Sequence, residues 1–194
     1  MDKIKESGIA SRRCFVVETM GRDCGYLALM SGIAAGAERI YTNEDGISLD
    51  DLANDVHWLR ESFAHGRRLF LAVRNENASH NYTTDFIARL LEEESHGMYD
   101  VRQVVLGHMQ QGGSPSPFDR LLANRLGYRA LNLIDDELAA HQDGSWFIGV
   151  NESGMRPCSM DTMPSLIDAA HRRPREQWWL QLRTIARMVS DEVR

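Results

Sequence analysis

The hydrophobic and polar positions along the chain divide it into two kinds of segment. Short apolar runs rich in β-branched residues occur at 14–18, 69–74 and 101–106, and they predict buried strands. Further short runs at 39–41 and 146–150 predict two more strands. Longer stretches with apolar residues at helical spacing lie between most of these runs. This alternation predicts an α/β layer fold with a mostly parallel sheet.

The predicted helices begin and end at residues that favour helix termini. One helix is predicted over 23–36, with Asp23 as its candidate N-cap, and another over 48–64, with Ser48 in that role. The other helices are predicted from Thr83 or Thr84, from Pro117 to about Ala140, and along an amphipathic tail from Glu176 to Arg194 with Trp179, Leu182, Ile185 and Val189 on one face.

Polar residues follow three of the predicted strands at the point where each strand ends. The sequence Met20-Gly21-Arg22 follows the first strand, Asn75-Glu76 follows the 69–74 strand, and 107–111 follows the third. In open parallel sheets, ligands bind beyond the carboxyl ends of the strands. The sequence therefore predicts a ligand site where these strand exits meet.

The residue types in and beside these exits suit an anionic sugar. Arg13, Arg22, Arg102 and His108 supply cations or donors, and a guanidinium binds phosphate oxygens in pairs. Glu76 is placed to accept hydrogen bonds from sugar hydroxyls. This set fits a phosphorylated polyol better than a nucleic acid or a metal ion.

Each of these signals also has a purely structural interpretation. Arg13 and Arg102 are then solvated surface charges, and His108 is a structural histidine. Glu76 is then a carboxylate near a helix start, and Gly112-Gly113 only forms a tight turn before a helix. The convergence of these residues at the strand exits is the argument for a site.

Composition narrows the class of protein. The 194 residues include 43% hydrophobic residues, enough for a core, and the net charge of −6 argues against nucleic-acid binding. Three cysteines without paired spacing indicate reduced thiols. Without a signal-peptide core or a membrane-length apolar run, the chain is expected to be cytoplasmic and not membrane-bound. It also lacks zinc-site spacing, GxSxG, Walker A and GxGxxG motifs.

Four long segments resemble the ATP-dependent 6-phosphofructokinases of animals, and the resemblance covers about residues 2–187. Subunits of that family contain two similar halves, and the C-terminal half binds the activator fructose 2,6-bisphosphate in a former sugar-phosphate site. RNE at 74–76 and HMQQGG at 108–113 resemble that half, since a catalytic half is expected to have Arg in place of Gln111. The segments are FVVETMGRDCGYLALMSGIAAGAE, LAVRNENASHNYTTDFIARLL, VLGHMQQGGSPSPFDRLLANRLG and HRRPREQWWLQLR.

The resemblance implies the residues of a fructose bisphosphate site. Arg13 and Arg102 suit a subunit interface at which one chain completes its neighbour's pocket, and Arg172 or the adjacent Arg173 would hold a phosphate. The family's C-terminal halves are expected to read MGG where this chain has Met20-Gly21-Arg22. Arg22 matches a catalytic half instead, so the preferred sugar phosphate stays open. The implied ligand residues are Arg13, Met20, Gly21, Arg22, Glu76, Arg102, His108, Met109, Gln110, Gln111 and Arg172.

The resemblance also implies how the chain is organised. Residues 1–155 are expected to form a three-layer Rossmann-like subdomain, and 156–194 a C-terminal segment with an amphipathic helix. The family's ATP loop and its TIDND segment, which carries the general base, lie upstream of the matching residues. We therefore interpret the chain as a fragment without catalytic residues, metal ligands or a cofactor of its own.

In the parent enzyme, the resemblance implies MgATP as the cofactor and a homotetramer as the assembly. Alone, the fragment is expected to be inactive in phosphoryl transfer. Two alternatives remain open at this point. In the first, the chain is the fructose 6-phosphate site of a catalytic half rather than an effector site. In the second, it is a non-enzymatic oligomerisation module that keeps only the subunit surface.

Overall fold

The computed structural model describes residues 1–9, 11–151 and 154–191, and the chain forms two compact units. Unit 1 combines Met1–Gln111 with Gln177–Arg194, and unit 2 is Gly112–Glu176. The first part of unit 1 contains α1 (Asp2–Ile9), β1 (Arg13–Thr19), α2 (Tyr26–Ala35), β2 (Arg39–Tyr41), α3 (Leu49–Ala64), β3 (Leu69–Asn75), α4 (Thr84–Glu93), β4 (Asp100–Val105) and a 3-10 turn (Gly107–Gln111).

Unit 2 contains one long helix and two small hairpins. After it, the chain returns to unit 1 through a second 3-10 turn (Trp178–Leu182) and a last helix. The elements are α5 (Pro117–Ala140), β5 (Trp146–Asn151), β6 (Gly154–Ser159), a 3-10 turn (Met160–Thr162), α6 (Met163–Leu166), β7 (Ile167–Asp168) and β8 (Arg173–Pro174) in unit 2, and α7 (Arg183–Asp191) in unit 1.

Unit 1 is built on a four-stranded sheet in which every neighbouring pair is parallel, in the order β2-β3-β1-β4. In the central strand, Val16 lies opposite Ala72 of β3 and Gln103 of β4. Residues of β1 from Cys14 to Val17 are all buried, as expected for a parallel strand covered on both faces. The parallel sheet predicted from the apolar runs is confirmed.

Helices cover both faces of this sheet and make three layers. On one face, α3 and α4 contribute Leu59, Phe63 and Ile87 to a core with the sheet. On the other face, α1 and α2 pack over a second core that includes Ala28 and Leu71. The three-layer α/β arrangement that the family resemblance implies is therefore present in unit 1.

Of the two N-caps predicted for helices of unit 1, one is confirmed and the other is wrong. Ser48 forms the predicted cap of α3, and its hydroxyl accepts a hydrogen bond from the backbone N–H of Asp51 at 3.1 Å. The prediction that Asp23 caps α2 is wrong. Gly25 is the N-cap, and Asp23 instead accepts a hydrogen bond from Asn77 at 2.9 Å. A partly buried partner that follows β3 therefore replaces the local capping interaction.

Unit 2 differs from the expected continuation of the parallel sheet. The strand predicted at 146–150 exists as β5, but it pairs with β6 in an antiparallel hairpin of its own. The two-residue strands β7 and β8 form a second hairpin that the hydrophobic pattern does not reveal. Helix α5 begins and ends at the predicted residues, with Ser116 as its N-cap.

The units divide the chain differently from the boundary predicted at residue 155. That position lies inside β6 of unit 2, and the tail from Gln177 packs with unit 1, where Trp179 is buried against the ring of Tyr26. The predicted tail helix is partly a 3-10 turn, and α7 follows it. The side chain of Val189 lies outside the described residues. Among the described helices, none combines the length and apolar character needed to span a membrane.

Candidate functional site

Three strand exits of unit 1 meet at one edge of the sheet, as the sequence predicts. β1 lies between β3 and β4 and is parallel to both, so the residues that follow these strands emerge side by side. We call Met20–Gly25, which connects β1 to α2, the exit loop. It lies next to Glu76, which follows β3, and to the 3-10 turn Gly107–Gln111, which follows β4.

Side chains from the neighbouring strand exits bind the backbone of the exit loop. The Gln110 Oε1 atom accepts a hydrogen bond from the Met20 N–H at 2.7 Å. One carboxylate oxygen of Glu76 accepts hydrogen bonds from the Gly21 and Arg22 N–H groups, at 3.0 and 2.6 Å. Three consecutive backbone donors are thus satisfied by two side chains. Glu76 and Gln110 therefore fix the conformation of the exit-loop backbone.

The exit loop adopts a backbone conformation that few residues tolerate. Gly21 has a φ of 145° and Arg22 a φ of 48°. A Cβ atom on Gly21 would lie 2.5 Å from the carbonyl oxygen of Cys24, so only glycine fits there. For Arg22 the left-handed conformation costs roughly 1–2 kcal/mol, and the contacts of Glu76 offset part of that cost.

A buried arginine, Arg74, holds the segment that follows β3 through hydrogen bonds. Arg74 is only 2% exposed, and its guanidinium donates hydrogen bonds to Glu18 at 2.7 Å, to the Ser79 carbonyl at 2.7 Å and to the Glu76 carbonyl at 3.2 Å. Burial lowers the pKa of Arg74, and the charge of Glu18 opposes that shift. The guanidinium stays charged and ties the start of the Glu76 segment to the sheet.

Several of the predicted ligand residues extend from this edge into solvent. Arg22, His108, Met109 and Gln111 are exposed, and Met109 is 83% exposed. A cation, an imidazole and an amide therefore lie beside a backbone whose Met20, Gly21 and Arg22 N–H groups are already hydrogen-bonded. This arrangement suits recognition of an anionic, hydroxyl-bearing ligand by side chains.

The expectation that Arg13 and Arg102 lie at the strand exits is wrong for this chain. Arg13 is the first residue of β1 and donates to the Ser7 carbonyl at 3.2 Å, and Arg102 lies opposite Phe15 near the start of β4. At the rise of a strand, Arg13 is roughly 20 Å from the exit loop. Arg13 precedes the apolar run of β1 and Arg102 lies near the start of β4. Each residue is therefore placed toward the amino end of its strand. Their role at a subunit interface stays a prediction.

Arg172 belongs to unit 2, where it lies in the turn between β7 and β8. It is exposed and has a φ of 53°. Asp168 organises this turn, since its carboxylate accepts hydrogen bonds from the Ala170 N–H at 3.1 Å and the His171 N–H at 3.3 Å. The His171 ring also hydrogen bonds to Asp168 at 2.7 Å, and this bond lowers the pKa of Asp168.

Two residues that contact the exit loop were not identified from the sequence. Asn77 donates a hydrogen bond to Asp23 at 2.9 Å, and both carboxylate oxygens of Glu44 lie 3.0 Å from the Gly25 N–H. The signal for Asn77 was present, because it continues the polar run after β3. Glu44 follows β2, whose exit was not included among the predicted site segments.

A cavity of about 540 Å³ lies elsewhere in unit 1, along the edge strand β2 and between α3 and α7. Its charged lining is largely paired. Asp55 accepts hydrogen bonds from Arg39 and from the Tyr41 hydroxyl, and Arg183 lies 2.9 Å from Asp45. Burial, together with Asp55, raises the pKa of Tyr41. These pairs indicate a structural role for the cavity, which is lined by residues after β2 such as Thr42 and Asp45 but by none of the exit loop.

Within residues 1–9, 11–151 and 154–191, no cluster of three or more His, Cys, Asp or Glu side chains is arranged to hold a metal ion. The site described above is therefore built from backbone amides, amide side chains, one carboxylate and one nearby guanidinium.

Comparisons with known proteins give one consistent result. The family model described as phosphofructokinase matches residues 1–134. ATP-dependent 6-phosphofructokinase of Dictyostelium discoideum is 41% identical over 98% of this chain, and the human muscle-type enzyme is 42% identical over 97% of it. The chain covers 23% and 26% of those relatives, so it spans about a quarter of their length.

Solved structures agree with the sequence relatives. Phosphofructokinase from Saccharomyces cerevisiae superimposes with a TM-score of 0.91 at 34% identity, over 99% of this chain and 27% of that one. Pichia pastoris phosphofructokinase in the T-state gives a TM-score of 0.87 at 33% identity, over 100% of this chain and 24% of that one. A pyrophosphate-dependent phosphofructokinase from Marinobacter aquaeolei shares the fold, with a TM-score of 0.62 at 14% identity, over 95% of this chain and 50% of that one.

Proposed function

This chain belongs to the phosphofructokinase family, and we propose that its strand-exit edge binds fructose 2,6-bisphosphate as an allosteric effector. The observation that carries the proposal is the exit loop, whose backbone is fixed by Glu76 and Gln110 while Arg22 extends from it into solvent. A fixed loop with an exposed cation favours binding of an anionic ligand, because little order is lost on binding.

The proposed ligand contacts divide by location. Arg22, His108 and Gln111 supply the side chains of this edge, and the Glu76 carboxylate oxygen that does not bind the exit loop is available to a sugar hydroxyl. Arg13 and Arg102 act from a neighbouring subunit, and the phosphate contact of Arg172, a residue of unit 2, stays a prediction. Each guanidinium binds phosphate oxygens through paired donors.

The parent protein is proposed to be a cytoplasmic, tetrameric 6-phosphofructokinase that phosphorylates fructose 6-phosphate with MgATP. Its relatives carry the name ATP-dependent 6-phosphofructokinase, and this chain matches about a quarter of their length. The segments that hold MgATP and the general base belong to other parts of the longer protein. Bound bisphosphate would favour the active state by binding it more tightly than the inactive state.

A second function is favoured by one residue, Arg22. An arginine at this position resembles a catalytic half, in which it would help hold fructose 6-phosphate at a substrate site. Gln111 argues for the effector site, because a catalytic half is expected to have arginine there. The two functions differ in the ligand that binds more tightly, the bisphosphate or the monophosphate.

Titration calorimetry on the 194-residue chain separates these functions. We expect fructose 2,6-bisphosphate to bind more tightly than fructose 6-phosphate, and inorganic phosphate to bind weakly. Arg22→Gly and Arg102→Ala should each weaken the bisphosphate. Arg89→Ala, which removes an exposed arginine paired with Asp85 on α4, should not. Tighter binding of fructose 6-phosphate would favour the substrate site, and unchanged affinity in Arg102→Ala would exclude its proposed role.

A further inference from the structure

We propose that Asn77 and Glu44 are positioning residues that hold the exit loop, and with it Arg22, in the conformation that a ligand meets. The inference rests on the proposed function for the identity of that ligand. Neither residue needs to contact the ligand. Each acts through hydrogen bonds to the loop that the ligand-binding arginine belongs to.

The exit loop is held along its length by residues that follow three different strands. Gln110, after β4, binds Met20, and Glu76, after β3, binds Gly21 and Arg22. The second half of the loop depends on other residues. Asn77, after β3, binds Asp23 at 2.9 Å, and Glu44, after β2, binds the Gly25 N–H at 3.0 Å. The loop is therefore the point at which all four strand exits are joined.

Asn77 is itself fixed through its backbone. Its carbonyl oxygen accepts a hydrogen bond from the Asn43 side chain at 2.8 Å, and Asn43 lies next to Glu44 after β2. Asn77 thus links the exits of β2 and β3 to the exit loop. A residue anchored by its backbone and bonded through its side chain transmits a fixed geometry to Asp23.

The conformation of the loop explains why it needs this support. Gly21 and Arg22 both have positive φ values, and the left-handed conformation is unfavourable for Arg22. Such residues persist where the surrounding contacts determine them. If the Asp23 end of the loop is released, Arg22 gains access to other conformations, and binding must then pay for its ordering.

Exchanging the residue types of Asn77 and Asp23 tests the inference in the ligand-free chain. Asn77→Asp places two carboxylates together, and combining it with Asp23→Asn restores one donor and one acceptor with their roles reversed. We expect hydrogen exchange at the Gly21 and Arg22 amides to become ~10-fold faster in Asn77→Asp and to recover in the double variant. Exchange at Val73, in the centre of β3, should not change.

The second readout is affinity for fructose 2,6-bisphosphate by titration calorimetry. Asn77→Asp should weaken it roughly tenfold, and the double variant should recover it, because ordering of Arg22 is restored. If the unaltered chain does not bind the bisphosphate, the proposed function fails while the exchange experiment still decides the positioning role.

Glu44 provides an independent test should Asn77→Asp fail to fold. Glu44→Ala removes both acceptors of the Gly25 N–H, whereas Glu44→Gln keeps one. Faster exchange at Gly25 and at Arg22 in Glu44→Ala, with a smaller effect in Glu44→Gln, supports the inference. Unchanged exchange at Arg22 in folded Asn77→Asp or Glu44→Ala, or a double variant that does not recover, overturns it.

Discussion

The side-chain oxygen of Gln110 accepts a hydrogen bond from the backbone N–H of Met20 at 2.7 Å, and this bond joins the exits of β4 and β1 across 90 residues of sequence. Gln110 lies in HMQQ, which resembles a regulatory half of the family's subunit, and Met20 lies in MGR, which resembles a catalytic half. The bond shows that these motifs form a single structural unit. A change in either one is therefore expected to alter the other.

The bond from Met20 to Gln110 should contribute measurably to stability. Gln110→Ala removes the acceptor and leaves a partly buried N–H without its partner, which should lower the free energy of unfolding by about 1–3 kcal/mol. Urea denaturation of the 194-residue chain, followed by Trp fluorescence, measures the loss. Gln103→Ala, at an exposed position of β4, should change it by less than about 0.5 kcal/mol. Equal effects would contradict the proposed role of Gln110.

Arg74 should be among the most costly residues of unit 1 to replace. Arg74→Leu leaves Glu18 without its cation and two carbonyl groups without their donor. We expect a loss of about 3–5 kcal/mol in the free energy of unfolding, measured by urea denaturation. Arg89→Ala, in the exposed pair with Asp85, should cost less than about 1 kcal/mol. A small effect of Arg74→Leu would mean that Glu18 is satisfied by other partners.

The conformation of Gly21 gives a matched pair of glycine variants. Gly66 also has a positive φ, of 97°, but a Cβ atom there would meet nothing within 4 Å. Gly66→Ala should therefore cost about 1–2 kcal/mol through its backbone alone. Gly21→Ala should cost more, because its Cβ atom also meets the Cys24 carbonyl. Thermal unfolding of both variants, together with bisphosphate affinity, checks this, and an equal loss of stability would show that the loop readjusts.

The capping box of α5 makes a pH-dependent contribution that can be tested in unit 2. The Ser116 backbone N–H and hydroxyl both donate to the Asp119 carboxylate at 2.7 Å, and these bonds lower the pKa of Asp119. A lowered folded-state pKa means that the stabilisation is present above the unfolded pKa and disappears as pH falls through the folded one.

Carboxyl-carbon NMR titration measures this shift directly. The pKa of Asp119 should lie below 3.8 in the unaltered chain and rise toward that ordinary value in Ser116→Ala. Asp168, in another part of unit 2, serves as an internal reference, because its pKa is lowered by the His171 ring and should stay lowered in Ser116→Ala. An Asp119 titration unaffected by Ser116→Ala would contradict the capping-box explanation.

The sequence predicts the parallel sheet because its strands are apolar runs whose exits carry polar residues. It also locates Ser48, Gly36 and Pro117 correctly, since helix ends depend on local residue types. Arg13 was misplaced because it was grouped with the strand exits although it precedes the apolar run, and sequence order puts such a residue at the amino end of its strand.

Contacts between distant segments could not be predicted. The bonds of Glu76 to Gly21 and Arg22 depend on β3 lying beside β1, and that order follows from packing of both sheet faces. Asp23 was assigned to the helix start because local capping is the usual role of such a residue, yet Asn77 competes for it. The short strands β7 and β8 contain two residues each, too few for a hydrophobic period.

The most direct test of the central claim is thermal stabilisation of the purified 194-residue chain by fructose 2,6-bisphosphate. A ligand that binds only the folded state raises the unfolding midpoint, and a concentration of 100 times Kd stabilises by about 2.7 kcal/mol. The strand-exit edge as an effector site predicts a clear rise with the bisphosphate and a much smaller one with fructose 6-phosphate or inorganic phosphate. A folded chain with no selective rise would contradict it.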